Sequence, residues 1–412
     1  MGCQAQAVKP PLPQSEAVVA PTHRGVPLPP PAKNSALWVS LDDHLGAGTL
    51  VDRSAPQLTL ISAGAAPLQL KDRAGKPLIA AGRLRFSWRR VPLQESLEVA
   101  RRVAGPFASF ESADRIAQRW RATGVKADVA HPAEWEVWAQ ADAPDLPGVA
   151  LRDVSERISS VVMPVLEGPT GGRTLQGPLQ VEAPNGLRWN GGVLQGPFRL
   201  QPDAYGSWTL LEQLPMERYL EGVVPHEIGA GSPAAALQAQ AVLARTWALA
   251  NSHRFALDGY HLCSDTQCQV YSDPRLASQS VRQAIRATAG KVLLWDGQPI
   301  HAVYHATNGG ISALAQEAWA MEPLPYVRVQ ADGVDAWGQS ISVPLSSDQD
   351  VTSLLNGGNG AYGAGHPRFR WSRAYTAGQL AQALASAGHG NALPTSMSVQ
   401  QRGPSGRVLA LE

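Results

Sequence analysis

The chain has 412 residues, of which 44% are hydrophobic, which is typical of a globular protein with two or three modest cores or one core with an extension. Lys and Arg number 35 and Asp and Glu number 34, and the formal charge of +1 gives no strong field to attract nucleic acid or anionic lipid. We therefore expect no nucleic-acid partner. The 12 Trp residues suit flat surfaces that bind sugar rings, although most Trp side chains lie in protein cores.

The first 34 residues are rich in proline and form few apolar clusters, which predicts a disordered tether over 1–34. Gly2 and Cys3 at its start resemble the end of a bacterial lipoprotein signal, with Cys3 as the lipidated residue. The alternative is an accidental Gly-Cys pair beside the start codon. No stretch reaches the roughly 20 apolar residues of a spanning helix, so membrane contact is expected only through a lipid on Cys3.

Residues 35–160 are predicted to be a β-rich N-terminal region, because short apolar runs alternate there with Gly-containing turns. Within this region a helix is predicted to begin after Ser109, a capping residue, and to end near Gly124. The stretch near 100–130 resembles a SPOR-type repeat, a small module that binds peptidoglycan glycan lacking stem peptides. The alternative is a βαβ-like insert with a structural role.

Residues 175–214 alternate apolar and polar side chains and contain Asn-Gly pairs at 185–186 and 190–191. These pairs favour the positive φ angles of tight hairpin turns, so a β meander is predicted here. Together with the helices that follow, this pattern predicts an α+β fold in which a meander and hairpins pack around a few helices.

Two helices are predicted next. Pro215 opens the first, and the second, rich in alanine, runs over 233–253 with Ser232 as its cap. Gln238 and Arg245 are seven residues apart on the second helix and therefore share a stripe, where they would offer hydrogen-bond donors and an acceptor to a ligand. Alternatively, Arg245 pairs with a structural carboxylate or with helix carbonyls.

Four motifs follow one another along the chain. They read YLEGVVPHEI at 219–228, ALQAQAVLARTWAL at 236–249, CSDTQCQVY at 263–271 and HATNGG at 305–310. In this order they resemble the SpoIID/LytB family, whose pattern is Tyr-Leu-x-Gly-Val-Val-Pro-x-Glu, an Ala-rich helix with Ala-Arg-Thr, a Cys pair ending in Gln-Val-Tyr, and His-x-Thr-x-Gly-Gly. The resemblance implies a SpoIID-like core over 161–412, and relatives continue past the point where this sequence stops.

The resemblance implies a lytic transglycosylase that cleaves peptidoglycan strands, particularly strands denuded of stem peptides, and leaves 1,6-anhydro-muramoyl ends. Hydrolases of glycosidic bonds normally use two carboxylates, whereas the family pattern in this chain supplies one, Glu227. We expect Glu227 to act first as acid and then as base. Burial against Val223, Val224 and Ile228 would raise its pKa toward neutrality, and a charged His226 would oppose that rise.

Further substrate-binding residues follow from position in these motifs. The candidates are Arg245 and Gln238 on the Ala-rich helix, Tyr271 after the Cys pair, and His305, Thr307 and Asn308 in the last motif. Asn308 stands where the family commonly has serine, which leaves its role open. The structural alternatives are a strand-end histidine at 305 whose hydrogen bonds are satisfied and a plain turn at 309–310.

Cys263 and Cys268 allow two arrangements, a disulfide across a turn or two thiolate ligands of zinc. Some members of the resembled family bind zinc here with help from histidine, and His261 is near. Gln267, however, stands where a histidine often precedes the second cysteine. Because Cys3 is the one remaining cysteine and an extracytoplasmic location is expected, we favour a disulfide and no cofactor.

The resemblance also implies a location and partners. The location would be extracytoplasmic, in the cell envelope or periplasm, and the partner would be the peptidoglycan glycan strand.

The alternative function belongs to a different class, because some relatives are described as enhancers of cell-wall amidases. Such a protein would bind glycan and assist an amidase without cleaving anything, whereas the presence of Glu227 favours catalysis.

Overall fold

The computed structural model describes residues 36–49, 58–169, 171–319, 321–345, 347–386, 393 and 395–412. The predicted tether over 1–34, with Cys3, lies outside the described residues. Within the described ranges, every helix is too short or too polar to cross a bilayer. The chain divides into two compact units: the first contains the residues up to Pro106 and Trp120–Ala302, and the second contains Phe107–Arg119 and Val303–Glu412.

Two large sheets dominate the first unit. The strands in chain order are β1 (Ala36–Leu45), β2 (Leu58–Ser62), β3 (Leu68–Lys71), β4 (Pro77–Ala81), β5 (Arg83–Phe107), β6 (Ala127–Ala130), β7 (Trp135–Gln140), β8 (Leu151–Leu166), β9 (Arg173–Thr174), β10 (Leu179–Glu182), β11 (Leu187–Trp189), β12 (Gly192–Leu194), β13 (Phe198–Pro202), β14 (Trp208–Pro215), β15 (Leu262–Cys263), β16 (Leu294–Trp295) and β17 (Gln298–Pro299). A seven-stranded sheet has the order β15-β1-β14-β13-β10-β3-β4. An eight-stranded sheet follows β12-β11-β2-β5-β7-β6, with β8 paired to β5 and β9 paired to β8. Strands β16 and β17 form a separate hairpin.

Strand β1 links distant parts of the chain. It pairs antiparallel with β14, where Ala36 faces Pro215, and parallel with β15, where Val39 faces Leu262. The region predicted as N-terminal and the region predicted as the core therefore share one sheet, and their predicted boundary after residue 160 falls inside β8.

The stretch 175–214, expected to form one meander, is divided between the two sheets. Strand β10 pairs with β13 and β3, whereas the hairpin β11–β12 joins the eight-stranded sheet. Asn190 and Gly191 at its tip have φ angles of 44° and 79°, as the Asn-Gly pair predicts. The hairpin can join the other sheet because Leu187 and Leu194, exposed by 0% and 3%, enter a core that both sheets share.

The helices confirm the α+β prediction. They are α1 (Phe110–Arg121), α2 (Met216–Ile228), α3 (Ala234–Ala250), α4 (Gln279–Ala287), α5 (Asp335–Ser340), α6 (Asp348–Asn356) and α7 (Ala377–Ser386). Ser109 caps α1 as predicted, since its hydroxyl accepts the amide of Ser112 at 3.2 Å. The predicted cap of α3 is wrong: the Ser232 hydroxyl donates instead to the carbonyl of Ile228 at 2.7 Å, and Pro233 is the capping residue without a side-chain bond.

The second unit has a small core of its own, formed by Ile311, Trp337, Leu345, Leu354, Ala361 and Phe369. It contains helices α5 to α7 and a hairpin of β18 (Val399–Arg402) and β19 (Val408–Leu411). Arg370 fixes one loop of this unit by donating to the carbonyls of Leu355 and Gly309 at 2.9 and 2.7 Å.

Candidate active site

Helix α2 carries Glu227 in its last turn. The helix begins after Pro215, whose missing amide is not needed at that position. Its buried face is formed by Tyr219, Leu220, Val223 and Val224, which are all fully buried in the core. Glu227 itself is partly exposed, so α2 anchors one face in the core and leaves this carboxylate within reach of solvent.

The carboxylate of Glu227 accepts a hydrogen bond from the backbone amide of Val270, with 3.1 Å between Oε1 and the nitrogen. Oε1 can accept this bond in both protonation states, because a carboxyl protonated on Oε2 keeps the lone pairs of Oε1. Because the donor belongs to the main chain, the direction of the carboxylate depends on where the segment around Val270 lies.

The segment around Val270 directly follows a small loop that is closed by a disulfide. A disulfide joins Cys263 to Cys268, with their Cα atoms 5.6 Å apart. Cys263 lies in β15 beside Ser40 of β1, which connects the loop to the seven-stranded sheet. The amide of Tyr271 then donates to the carbonyl of Ser264 at 3.0 Å, so the chain returns toward the start of the loop.

Tyr271 is buried, and its hydroxyl donates to Oε2 of Glu212 at 2.8 Å. Glu212 is 2% exposed and also accepts the amides of Gln195 and Gly196 at 3.1 and 3.0 Å. Burial raises the pKa of Glu212, and these hydrogen bonds oppose the rise. Burial and the neighbouring carboxylate raise the pKa of Tyr271, so its hydroxyl keeps the proton that it donates.

The donor set around the cysteines does not fit a zinc ion. The two sulfur atoms are bonded to each other, and His261 is 2% exposed with Nδ1 accepting the amide of Trp38 at 2.9 Å. Zinc requires deprotonated thiolates and an imidazole nitrogen with an unused lone pair. Because Nδ1 of His261 accepts a hydrogen bond, the proton of the neutral ring is on Nε2, and neither nitrogen offers such a lone pair. In the part of the chain that the structure describes, no three His, Cys, Asp or Glu side chains come together as a metal site.

Arg245 has an entirely buried side chain. Its Nε and Nη2 donate to the two carboxylate oxygens of Glu217 at 3.0 and 2.7 Å, and Nη1 donates to the carbonyl of Lys291 at 3.0 Å. These bonds join the start of α2, the middle of α3 and the segment after α4. This is the geometry expected if Arg245 has a structural role, in which it pairs with a carboxylate and with main-chain carbonyls.

Gln238 lies near the start of α3 and is exposed. Arg245, two turns later on the same stripe, is buried against Glu217. The two side chains therefore do not form the shared, exposed set of donors that their spacing suggested, because α3 enters the core between them.

The last motif lies in the second unit. His305 is exposed and Thr307 is partly exposed. Asn308 uses its side chain within the loop: Nδ2 donates to Asp332 at 2.7 Å, and Oδ1 accepts the amide of Gly310 at 2.8 Å. Gly309 and Gly310 have φ angles of 72° and 96°, so the loop also has the turn geometry of the structural alternative.

Known proteins match two parts of the chain. Residues 204–295 match the family model described as stage II sporulation protein, SpoIID, and residues 313–412 match a domain of unknown function. The amidase enhancer of Bacillus subtilis is 35% identical over 140 residues, covering 33% of this chain and 18% of that protein. Stage II sporulation protein D of Bacillus subtilis is 34% identical over 134 residues, covering 29% and 38%. An uncharacterized protein of Brachyspira hyodysenteriae is 29% identical over 147 residues, covering 35% and 37%.

The chain is similar to the SpoIID family over residues 204–295. It matches less than two fifths of the length of each of these relatives. The SpoIID segment contains Glu227, Gln238, Arg245, the cysteine pair and Tyr271. His305, Thr307 and Asn308 lie between the two matched segments. The roles of all these residues stay predictions.

Three residues that contact Glu227 or the segment supporting it were not predicted as site residues: Glu212, Gly222 and Val270. Glu212 carried a signal, because an acidic residue inside the apolar strand WTLLEQL points to a buried carboxylate with partners. Gly222 carried one too, as a glycine inside a helix marks a close approach. Val270 carried none, since its contribution is a backbone amide.

Proposed function

We propose that this chain is a lytic transglycosylase of the bacterial cell wall that cleaves peptidoglycan glycan strands and acts outside the cytoplasm. The observation that carries this proposal is the place of Glu227, partly exposed at the end of α2 and oriented by the Val270 amide, within the segment that matches SpoIID. Strands without stem peptides are the expected substrate, since they leave the sugar backbone accessible.

One carboxyl group is sufficient for this reaction. Protonated Glu227 gives its proton to the glycosidic oxygen while the bond from that oxygen to the muramoyl C1 breaks. The resulting carboxylate takes the proton of the C6 hydroxyl as O6 bonds to C1, and the acid is restored. Water does not enter, and the product is a 1,6-anhydro ring. Glu212, the carboxylate linked to this site through Tyr271, is buried and accepts hydrogen bonds from three donors, so it is not available as a second catalytic carboxylate.

The test is digestion of purified glycan strands, with and without stem peptides, followed by mass analysis for anhydro-muramoyl ends. We expect wild-type protein to form them and Glu227→Gln to lose about 10²–10⁴-fold in rate, the usual contribution of a positioned acid. Glu98→Gln, an exposed carboxylate in the same unit, is the matched control and should keep full activity. A Glu227→Gln protein within about tenfold of wild type would refute the assignment.

The amidase-enhancer alternative is favoured by one observation, the match to a relative of that name. It predicts no anhydro product and a faster release of stem peptides when a cell-wall amidase is mixed with this chain. Because enhancement would require glycan binding without acid catalysis, Glu227→Gln should stimulate the amidase as well as wild-type protein does. Measuring both products with both proteins separates the two functions.

A further inference from the structure

We propose that the segment Gln269–Tyr271 positions the acid: the Val270 amide orients the carboxyl of Glu227, and the buried pair of Tyr271 and Glu212 holds that amide in place. This inference rests on the proposed function for its catalytic meaning. Glu212 and Tyr271 would be positioning residues, because they act through the main chain and do not touch the sugar.

The first step of the argument is the anchoring on either side of Val270. Before it, Gln269 is 1% exposed and its Oε1 accepts the hydroxyl of Tyr219 at 3.1 Å. After it, Tyr271 donates to Glu212 and stacks on Tyr219, with 5.5 Å between ring centroids. Val270 itself is 37% exposed, so the residue at the surface is held by buried neighbours on both sides.

The second step is the contact between this segment and the helix that carries Glu227. The amide of Ser272 donates to the carbonyl of Gly222 in α2 at 3.2 Å. A Cβ atom on Gly222 would lie 2.5 Å from the Ser272 carbonyl oxygen and 2.5 Å from the Tyr271 ring. The segment therefore lies directly on α2, and the glycine permits that approach.

The third step is the anchoring further along the segment. Asp273 is buried, and its carboxylate accepts the Val193 amide at 2.8 Å and the Arg275 guanidinium at 2.7 Å. With the disulfide before Gln269, the segment is fixed at both ends as well as at its middle. A donor held in this way keeps the carboxyl in one orientation at no entropic cost during the reaction.

Tyr271→Phe tests the inference, since it keeps the ring and removes the hydroxyl bond to Glu212. The control is Tyr205→Phe, which removes a bond of the same kind, from Tyr205 to Asp258 at 2.8 Å, together with the bond that the Tyr205 hydroxyl accepts from the His131 amide at 2.6 Å, elsewhere in the first unit. We expect kcat on glycan strands to fall about ten- to a hundredfold in Tyr271→Phe with KM unchanged, because a small displacement of the acid is enough to lower the rate. Tyr205→Phe should keep the wild-type kcat. Equal kcat in both variants, whether lowered or not, would overturn the proposal.

A second measurement does not depend on activity. In isotope-labelled protein the amide proton of Val270 should shift with pH as Glu227 ionises, and this titration should vanish in Glu227→Gln. An unchanged titration in that variant would overturn the inference, even if Tyr271→Phe fails to fold.

If Glu227→Gln abolishes cleavage while Tyr271→Phe leaves it intact, the positioning inference alone is wrong. If wild-type protein makes no anhydro product, the proposed function is wrong, and the Val270 titration still decides whether the hydrogen bond exists.

Discussion

Among single residues, Arg245 shows most clearly how burial changes an assignment. A guanidinium removed from water must be paired, because an isolated buried charge is strongly unfavourable. Here Glu217 supplies both oxygens and Lys291 supplies a carbonyl. The planar fork of arginine matches a carboxylate in this way, whereas the ammonium group of lysine does not.

We therefore expect Arg245→Lys to destabilise the protein by about 1.5–3 kcal/mol, the usual contribution of hydrogen bonds to charged groups. The melting temperature should fall, and activity on glycan should recover on cooling. Arg157→Lys is the control, since Arg157 makes a 3.6 Å pair with Glu98 in which both side chains are largely exposed, and such pairs contribute little. A large loss of activity with an unchanged melting temperature would instead assign Arg245 to substrate gripping.

At the scale of elements, helices and turns with local signals could be predicted. Pro215 opens α2, Ser109 caps α1, and Asn190-Gly191 forms the tip of a hairpin. Each depends on a few adjacent residues, so the sequence contains the full signal. The cap at Ser232 was wrongly predicted because a serine hydroxyl can either accept a helix amide or donate to a carbonyl, and here it donates to the carbonyl of Ile228.

Pairing between distant strands could not be predicted in the same way. No local sequence signal indicates that β1 lies between β14 and β15. None indicates that the β11–β12 hairpin joins a different sheet from β10 and β13. The same limit applies to the candidate site. Glu227 and Tyr271 stand in recognisable motifs, but the Val270 amide and the buried Glu212 are defined by tertiary contacts.

The loop between Cys263 and Cys268 gives a prediction at this scale. Mass analysis of unreduced protein should show the Cys263–Cys268 linkage, and metal analysis should find no stoichiometric zinc, because the sulfurs are bonded together and Nδ1 of His261 accepts the Trp38 amide. Cys263→Ser with Cys268→Ser should lower the activity by releasing the segment that holds Val270. One zinc ion per chain, lost on Cys268→Ala, would contradict this prediction.

Across the molecule, buried carboxyl groups affect how stability depends on pH. Burial raises the pKa of Asp258 from 3.8 to about 7, and the nearby Asp203 and Asp43 add to the rise, while hydrogen bonds from Tyr205 and the Ala204 amide oppose it. Burial also raises the pKa of Asp203. Between pH 3.8 and about 7, the ordinary and the raised pKa of Asp258, the folded state binds more protons than the unfolded state. The free energy of unfolding therefore falls as the pH rises through this range.

We expect the free energy of unfolding to increase as the pH is lowered from about 8 to about 5, with a contribution from Asp258 on the order of 2 kcal/mol. His131 acts in the opposite direction, because burial lowers its pKa. Denaturant unfolding at several pH values is the measurement. Asp258→Asn should flatten the pH dependence, and an equally steep dependence in that variant would show that other groups cause it.

The position of β1 also affects how long this strand waits for its partners during synthesis of the chain. Trp38 and His261, which exchange backbone and imidazole hydrogen bonds, are 223 positions apart. At roughly 5–20 residues per second, a ribosome needs on the order of 10–45 seconds to deliver the second after the first. For most of that interval, until β14 has been made, the apolar strand β1 is without its partners, and unpaired strands of this kind are prone to aggregate. A chain that reaches its compartment unfolded and complete would avoid this wait, since all the strands of the sheet become available together.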